Sequence, residues 1–208
     1  MKYFEKHPMT MIVIGIIGIS MSAILIRFST APSAVTASWR LLWTVILMTP
    51  VVFGGKSSRK ELLSIDKKTA MLSIISGIFL TIHFWFWFES LRLTSVASAS
   101  TIVSTEVIWV SIGFFLFLKG RLSIKAMGAI AVAFAGSALV AFADSGSGGT
   151  HLQGDVFALL AAMAVAVYML IGRTLRAEVS NTVYTYIVYG ACAAGLLTMS
   201  VVQQQGLF

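Results

Sequence analysis

Apolar residues run through this chain in long blocks, and the polar residues collect in short gaps between them. Seven blocks can be drawn, at 9–28, 33–53, 69–91, 96–118, 124–142, 154–171 and 181–202. A block of about 20 apolar residues crosses a hydrocarbon core of ~30 Å as a helix. In hydrocarbon each segment must satisfy its own backbone polar groups, so each block is expected to be helical. The expectation is therefore an all-α membrane protein, a polytopic helical bundle of seven transmembrane helices. The first block is preceded by Lys2 and Lys6 and has an 18-residue apolar run, 9–26. That exceeds the apolar core of about 7–15 residues in a signal peptide, so it reads as a retained first helix.

Composition agrees. The 208 residues are 58% hydrophobic and 11% charged, more apolar surface than a soluble domain of this size could hide. Seven crossings with short links use up the chain and leave no soluble domain over.

The charges fix a direction. Twelve of the 15 Lys and Arg residues fall in the N-terminal tail and in the second, fourth and sixth connections. The second holds Lys56, Arg59, Lys60, Lys67 and Lys68, the fourth Lys119, Arg121 and Lys125, and the sixth Arg173 and Arg176. Basic connections stay on the cytoplasmic side, which places the N-terminus there. The fifth connection carries Asp144, Asp155, His151 and a Ser/Gly run without Lys or Arg, and reads as a flexible outward loop. The net charge of +7 is spread over separate short loops that meet anionic lipid headgroups, so it implies a lipid bilayer and no nucleic acid. Cys192 lies alone in an apolar block and reads as a packing residue.

The Ser/Gly run divides the chain at 1–143, a linker at 144–153, and 154–208. Five helices precede the linker and two follow, so the second part enters from the opposite side. An inverted repeat is then expected, and a weak one is visible: Arg27 aligns with Arg173, Ala31 with Ala177, and Arg40 with Tyr186.

Ionisable groups inside the apolar blocks are costly and need a partner or a cavity. Arg40 lies roughly 10 Å into the second helix at 1.5 Å per residue. Thr36, Trp43 and Thr44 share its face. Either this face lines a pathway where Arg40 holds an anionic or carboxylate group, or Arg40 snorkels to the headgroups among belt aromatics. Glu106 is the deepest charge, near the middle of the fourth helix, with Trp109 and Gly113 near its face. It reads as a cation or proton site or a counter-ion to Arg40, against a structural bond to another helix. His83 shares a face with Ser76, Trp87 and Ser90, and serves either a proton step or an interhelical hydrogen bond. Glu89 and Arg92, at i and i+3, read as a local ion pair. Of the run Phe84-Trp85-Phe86-Trp87-Phe88, at most two side chains can face a cavity. Tyr186 and Tyr189, a turn apart, are candidates for the same cavity as Arg40. The pathway candidates are thus Arg40, Trp43, His83, Trp87, Glu106, Trp109 and Tyr186. Small-residue stripes at Gly15, Gly18 and Ser22, at Ala131 and Ala135, and at Ala158, Ala162 and Ala166 suit close helix packing or a homodimer. No catalytic, phosphate-binding or metal-ligand motif is present, and no cofactor is expected.

Four passages together resemble a known family. Ser22-Ala23-Ile24 to Arg40, through Ala31-Pro32, is similar to a first helix, an Ala-Pro loop and an "xxWR" start of the second helix. Ser90-Leu91-Arg92-Leu93-Thr94-Ser95-Val96-Ala97-Ser98-Ala99 resembles an "ALxxTSVAxAS" segment. Leu118 through Val140, with Gly128 and Gly136, resembles the fifth-helix passage, and Gly154-Asp155-Val156-Phe157-Ala158 the start of a second repeat. The family is the EamA-type transporters of the drug/metabolite transporter superfamily. The chain departs from it at Lys119-Gly120-Arg121, which lacks a usual Glu, and at Glu106-Val107, which stands where a proline is common. The resemblance implies ten helices in two inverted five-helix repeats, of which this chain holds the first and two helices of the second. It also implies a permease of the bacterial inner membrane that carries a small-molecule substrate by alternating access. Proton coupling stays open. The rival expectation is a non-transporting structural or partner-binding subunit, or an inert fragment.

Overall fold

The computed structural model describes residues 8–120, 123–145 and 149–204. Lys2, Lys6 and His7 of the basic tail, Arg121, residues 146–148 of the Ser/Gly run and Gln205 lie outside the described residues, as do the side chains of Arg27 and Asp144. Nine helices are described: α1 Pro8–Phe28, α2 Ser33–Gly54, α3 Lys56–Ser64, α4 Lys67–Leu93, α5 Val96–Val103, α6 Glu106–Leu118, α7 Ile124–Ser145, α8 Gly149–Leu175 and α9 Asn181–Val202.

Local chemistry sets several boundaries. Asp66, Ser95 and Ser180 cap α4, α5 and α9 by accepting from the backbone N–H three residues on. Hydrogen bonds from Thr69, its side chain first and its N–H second, hold the Asp66 carboxyl below the usual carboxylate range. At the far end of α6, Lys119 takes a left-handed backbone (φ 50°), and the Gly120 N–H reaches back to the Phe114 carbonyl at 3.1 Å.

Helix α4 is the hub. It packs along α8 and α9, while α9 packs along α2. The core they enclose includes Phe88, Leu91, Ala161, Val183, Val188, Cys192 and Leu196. Glycine lets the axes close. A Cβ on Gly77 of α4 would stand 2.6 Å from the Ala191 Cβ and 2.8 Å from the Val188 carbonyl of α9. Large apolar side chains cover much of the exterior: Leu47 is 70% exposed and Phe117 80%. Water would drive such surfaces together, whereas lipid leaves them in place.

Five spans are long and apolar enough to cross a membrane: Ser33–Gly54, Lys67–Leu93, Val96–Leu118, His151–Leu175 and Asn181–Val202. The apolar stretches of α1 and α7, Val13–Ile26 and Ile124–Leu139, are shorter, so five of the seven expected crossings reach full length.

Four local expectations need correction. The fourth apolar block is two helices, because the chain turns at Ser104 and Thr105. Their hydroxyls bond to the Ser100 and Ile102 carbonyls at 2.8 and 2.6 Å, and ψ near 0° tightens the backbone into i to i+3 bonding. The linker read at 144–153 is largely helical, with α7 reaching Ser145 and α8 starting at Gly149. Asp155, anchored to α5, holds that first stretch of α8 in place. The basic second connection contains α3, whose Leu62, with Ile65 just after it, rests on the core. Arg92 donates to the Ala31 carbonyl at 3.1 Å and so ties α4 to the α1–α2 turn, and no ion pair of Arg92 with Glu89 is seen among the described residues.

Candidate functional site

Arg40 sits two turns into α2, half-buried. Its guanidinium carbon lies 5.4 Å from the Phe84 ring centre and 6.0 Å from that of Trp87. Those distances suit cation–π attraction, which grows when water is excluded. Its Nη1 is buried and has no hydrogen-bond partner among the described residues. A groove of about 470 Å³ opens beside it between α1 and α2, lined by Gly18, Ser22, Thr36 and Phe88 among others. A permanently charged donor, desolvated and unpartnered beside a groove, is suited to accept an anionic group.

His83 and Trp87 join the same cluster. The two rings stack at 5.8 Å, and Phe84 meets His83 edge-on at 5.1 Å. The Ala161 carbonyl can only accept, so His83 Nδ1–H donates to it at 2.9 Å, joining α4 to α8. Trp87 Nε1 is buried without a partner among the described residues. Of the five-aromatic run, Phe84 and Trp87 face Arg40, Trp85 and Phe86 pack on Phe157 of α8, and Phe88 is fully buried.

Other candidates lie apart. Trp43 is 58% exposed and points away from the bundle, as a lipid-facing aromatic does. Tyr186 sits toward the basic end, with its hydroxyl 3.3 Å from Thr49 Oγ1 and its ring edge-on to Phe53. Glu106 is half-buried in the first turn of α6, directly after the Ser104–Thr105 break. A carboxylate at a helix N-terminus meets the positive end of the helix dipole. Trp109, one turn on, lines a largely apolar cavity of about 420 Å³ between α6, α7 and α8, with Phe134, Ser137 and Asp155 on its other walls. The structure therefore brings Arg40, His83 and Trp87 together and separates Trp43, Tyr186, Glu106 and Trp109 from them.

Three features escaped the sequence. Asp155 is 7% exposed, and its Oδ1 accepts from Thr94 at 2.9 Å and Ser98 at 2.8 Å, locking α8 to the α4–α5 junction. Its Ser/Gly-rich approach disguised it as a loop residue. The second is a cavity of about 640 Å³ at the basic end, walled by Val110, Tyr168, Arg173, Arg176, Asn181 and Tyr184. The third is the frame around that cavity: Thr69 Oγ1 donates to Glu178 at 2.8 Å, and the Ser180 N–H donates to Glu61.

The sequence pattern of the EamA-like transporter family matches residues 8–142, more than half of the chain. The chain belongs to the EamA-like transporter family. It is accordingly a multi-pass membrane protein of a transporter superfamily. The match ends inside α7, so α8 and α9, which complete the surroundings of Arg40, lie beyond it. No curated protein and no solved structure matches the chain significantly.

Proposed function

We propose that this EamA-like protein moves a small organic metabolite bearing an anionic group across the bacterial inner membrane by alternating access. Its basic connections would face the cytoplasm, following the positive-inside rule. All seven apolar blocks would cross the membrane, as a first five-helix repeat at 1–143 and an inverted second repeat that begins with α8 and α9. The observation that carries this reading is Arg40: a half-buried side chain whose buried Nη1 has no partner among the described residues, near two aromatic rings and beside a groove. A transport site needs a group strong enough to select a substrate and accessible enough to release it, and this arrangement supplies both. Glu106, at the start of a half-helix, is assigned to charge balance or proton coupling.

The test is flux. Protein in proteoliposomes would be screened with a panel of small carboxylates and their uncharged or cationic analogues. Arg40→Gln is expected to lower anion flux about tenfold or more, the loss of at least one charge-assisted hydrogen bond. Undiminished flux in that variant would remove Arg40 from the pathway. Glu106→Gln should abolish any response of flux to an imposed pH gradient if the proton passes there.

A second reading has its own support. The stripe on α7 faces outward, and a Cβ on Gly15 of α1 or on Gly128 or Gly136 of α7 would meet nothing within 4 Å. Such faces suit a second copy or a partner helix, so a partner-binding subunit is the alternative. Inter-chain cross-linking through cysteines at Gly15 or Gly128, with no flux for any substrate, would favour it.

A further inference from the structure

The cavity at the basic end differs from the Arg40 groove in position and in chemistry. It is the largest of the cavities described, at about 640 Å³, and two guanidiniums border it. Arg173 is held over the Phe114 ring at 4.2 Å, which fixes its carbon stem while leaving the N–H fork available. Arg176, directly after α8, lines the same cavity as Tyr168 and Tyr184. Among the described residues the cavity wall carries two positive charges and no carboxylate, and the nearby Glu178 accepts from Thr69 of α4.

Its inner wall is aromatic. The Tyr168 and Tyr184 rings stack at 6.4 Å with planes 17° apart. The Tyr184 hydroxyl lies 2.6 Å from Ser76 Oγ on α4, a buried pair that pins the ring across the gap between α4, α8 and α9. Gly172 makes room for it, since a Cβ there would stand 2.8 Å from the Tyr184 hydroxyl. Beyond the tyrosines lies the buried core that Tyr184 shares with Trp87, the ring beside Arg40.

We propose that this cavity is an antechamber that binds an organic anion with a ring-sized planar body, and that Tyr184, latched to Ser76, separates it from the Arg40 cluster. The guanidiniums of Arg173 and Arg176 take the anionic group, and the tyrosine faces take the ring. The assignment of the antechamber to the cytoplasmic side rests on the proposed transport reading. The binding itself does not.

The probe is benzoate, measured by equilibrium dialysis against the full chain in nanodiscs of neutral phosphatidylcholine. Wild type should bind benzoate and not benzylamine, a cation of similar shape. Arg173→Gln with Arg176→Gln should weaken binding about tenfold or more, the loss of at least one charge-assisted contact. The corresponding Lys pair should retain most of it, with affinity that falls as salt is raised. Should the Gln pair fail to fold, the Lys pair, the benzylamine control and the salt dependence still decide. Tyr184→Phe should keep binding, and in proteoliposomes should raise benzoate leak, because the latch is gone. Equal binding of benzylamine, or unchanged binding in a folded Gln pair, overturns the proposal. Displacement of benzoate by phosphatidylglycerol makes the site a lipid-headgroup site and overturns it too. Loss of binding only in Arg40→Gln leaves the transport reading standing and removes the antechamber. Loss only in the Gln pair keeps the antechamber even where flux is absent.

Discussion

Helices α8 and α7 carry the same sequence signature and meet opposite fates. On α8, Ala158, Ala162 and Ala166 are 0%, 0% and 2% exposed, packed into the heart of the molecule. On α7, Ala131 and Ala135 are exposed, and a Cβ on Gly128 or Gly136 would touch nothing within 4 Å. Helix α1 behaves like α7. A small-residue stripe records that a backbone can be approached closely; it does not say by what. The heart of α2, α4, α8 and α9 is closed by its own contacts, while α1 and α7 present faces that this chain leaves uncovered.

Gly77→Leu should have the largest effect on stability. The side chain would collide with the Ala191 Cβ and the Val188 carbonyl, and overpacking of this kind costs about 1–3 kcal/mol or more. Gly128→Leu on the uncovered face should leave stability unchanged or raise it by up to about 1 kcal/mol through helix propensity. The measurement is the midpoint of sodium dodecyl sulfate unfolding in mixed micelles. Equal losses in the two variants would erase the distinction between the regions.

Asp155→Ala should follow. It leaves the buried Ser98 hydroxyl without its carboxylate acceptor and removes one bond of Thr94, at about 1–3 kcal/mol. Asp155→Asn keeps an acceptor and should lose less in the same assay. If Ala and Asn behave alike, the bonds to Thr94 and Ser98 do not hold α8 in place.

Trp109→Phe probes the border between the regions. Nε1 is buried without a partner among the described residues, so the variant discards an unsatisfied donor and should be neutral or slightly stabilising. A clear loss of stability would show that Nε1 has a partner in the membrane-embedded protein.

The smallest effect is at the rim. Asp66 caps α4, and its carboxyl is held below the usual range by Thr69. A depressed carboxylate contributes its stabilisation above the unfolded-state value and loses it as pH falls through the folded-state value. Protection of the Thr69 amide, its exchange rate relative to the intrinsic rate at the same pH, should therefore fall at acid pH in the wild type and be low already at neutral pH in Asp66→Ala. Exchange that ignores both changes would remove the cap.

Much of the fold was legible in the sequence. Long apolar blocks can only be helices when no water is present to satisfy the backbone, and block lengths map onto helix lengths. The break at Ser104–Thr105 was harder to see. No proline marks it, and each hydroxyl has to choose a carbonyl within an existing helix. Asp155 was misread for a related reason, because a Ser/Gly run looks like a loop until Thr94 and Ser98 give its carboxylate a place to be buried. For the candidate site, Arg40, His83 and Trp87 were individually visible as costly or aromatic groups in apolar blocks. Trp43 shares the sequence face of Arg40 yet points outward, because a helical face is wider than the cavity it borders. Tyr168 and Tyr184 gave no signal, since a tyrosine in a membrane helix reads equally as packing or belt.

By itself the sequence determined the solvent, the helices and the distribution of basic connections, all properties of short segments. Only the tertiary structure decided which small-residue faces are filled and which buried polar atoms lack partners. It also decided that the two arginines after α8 share a cavity with two tyrosines. Those outcomes depend on contacts between residues tens of positions apart, and no local pattern encodes which helix will arrive to make them.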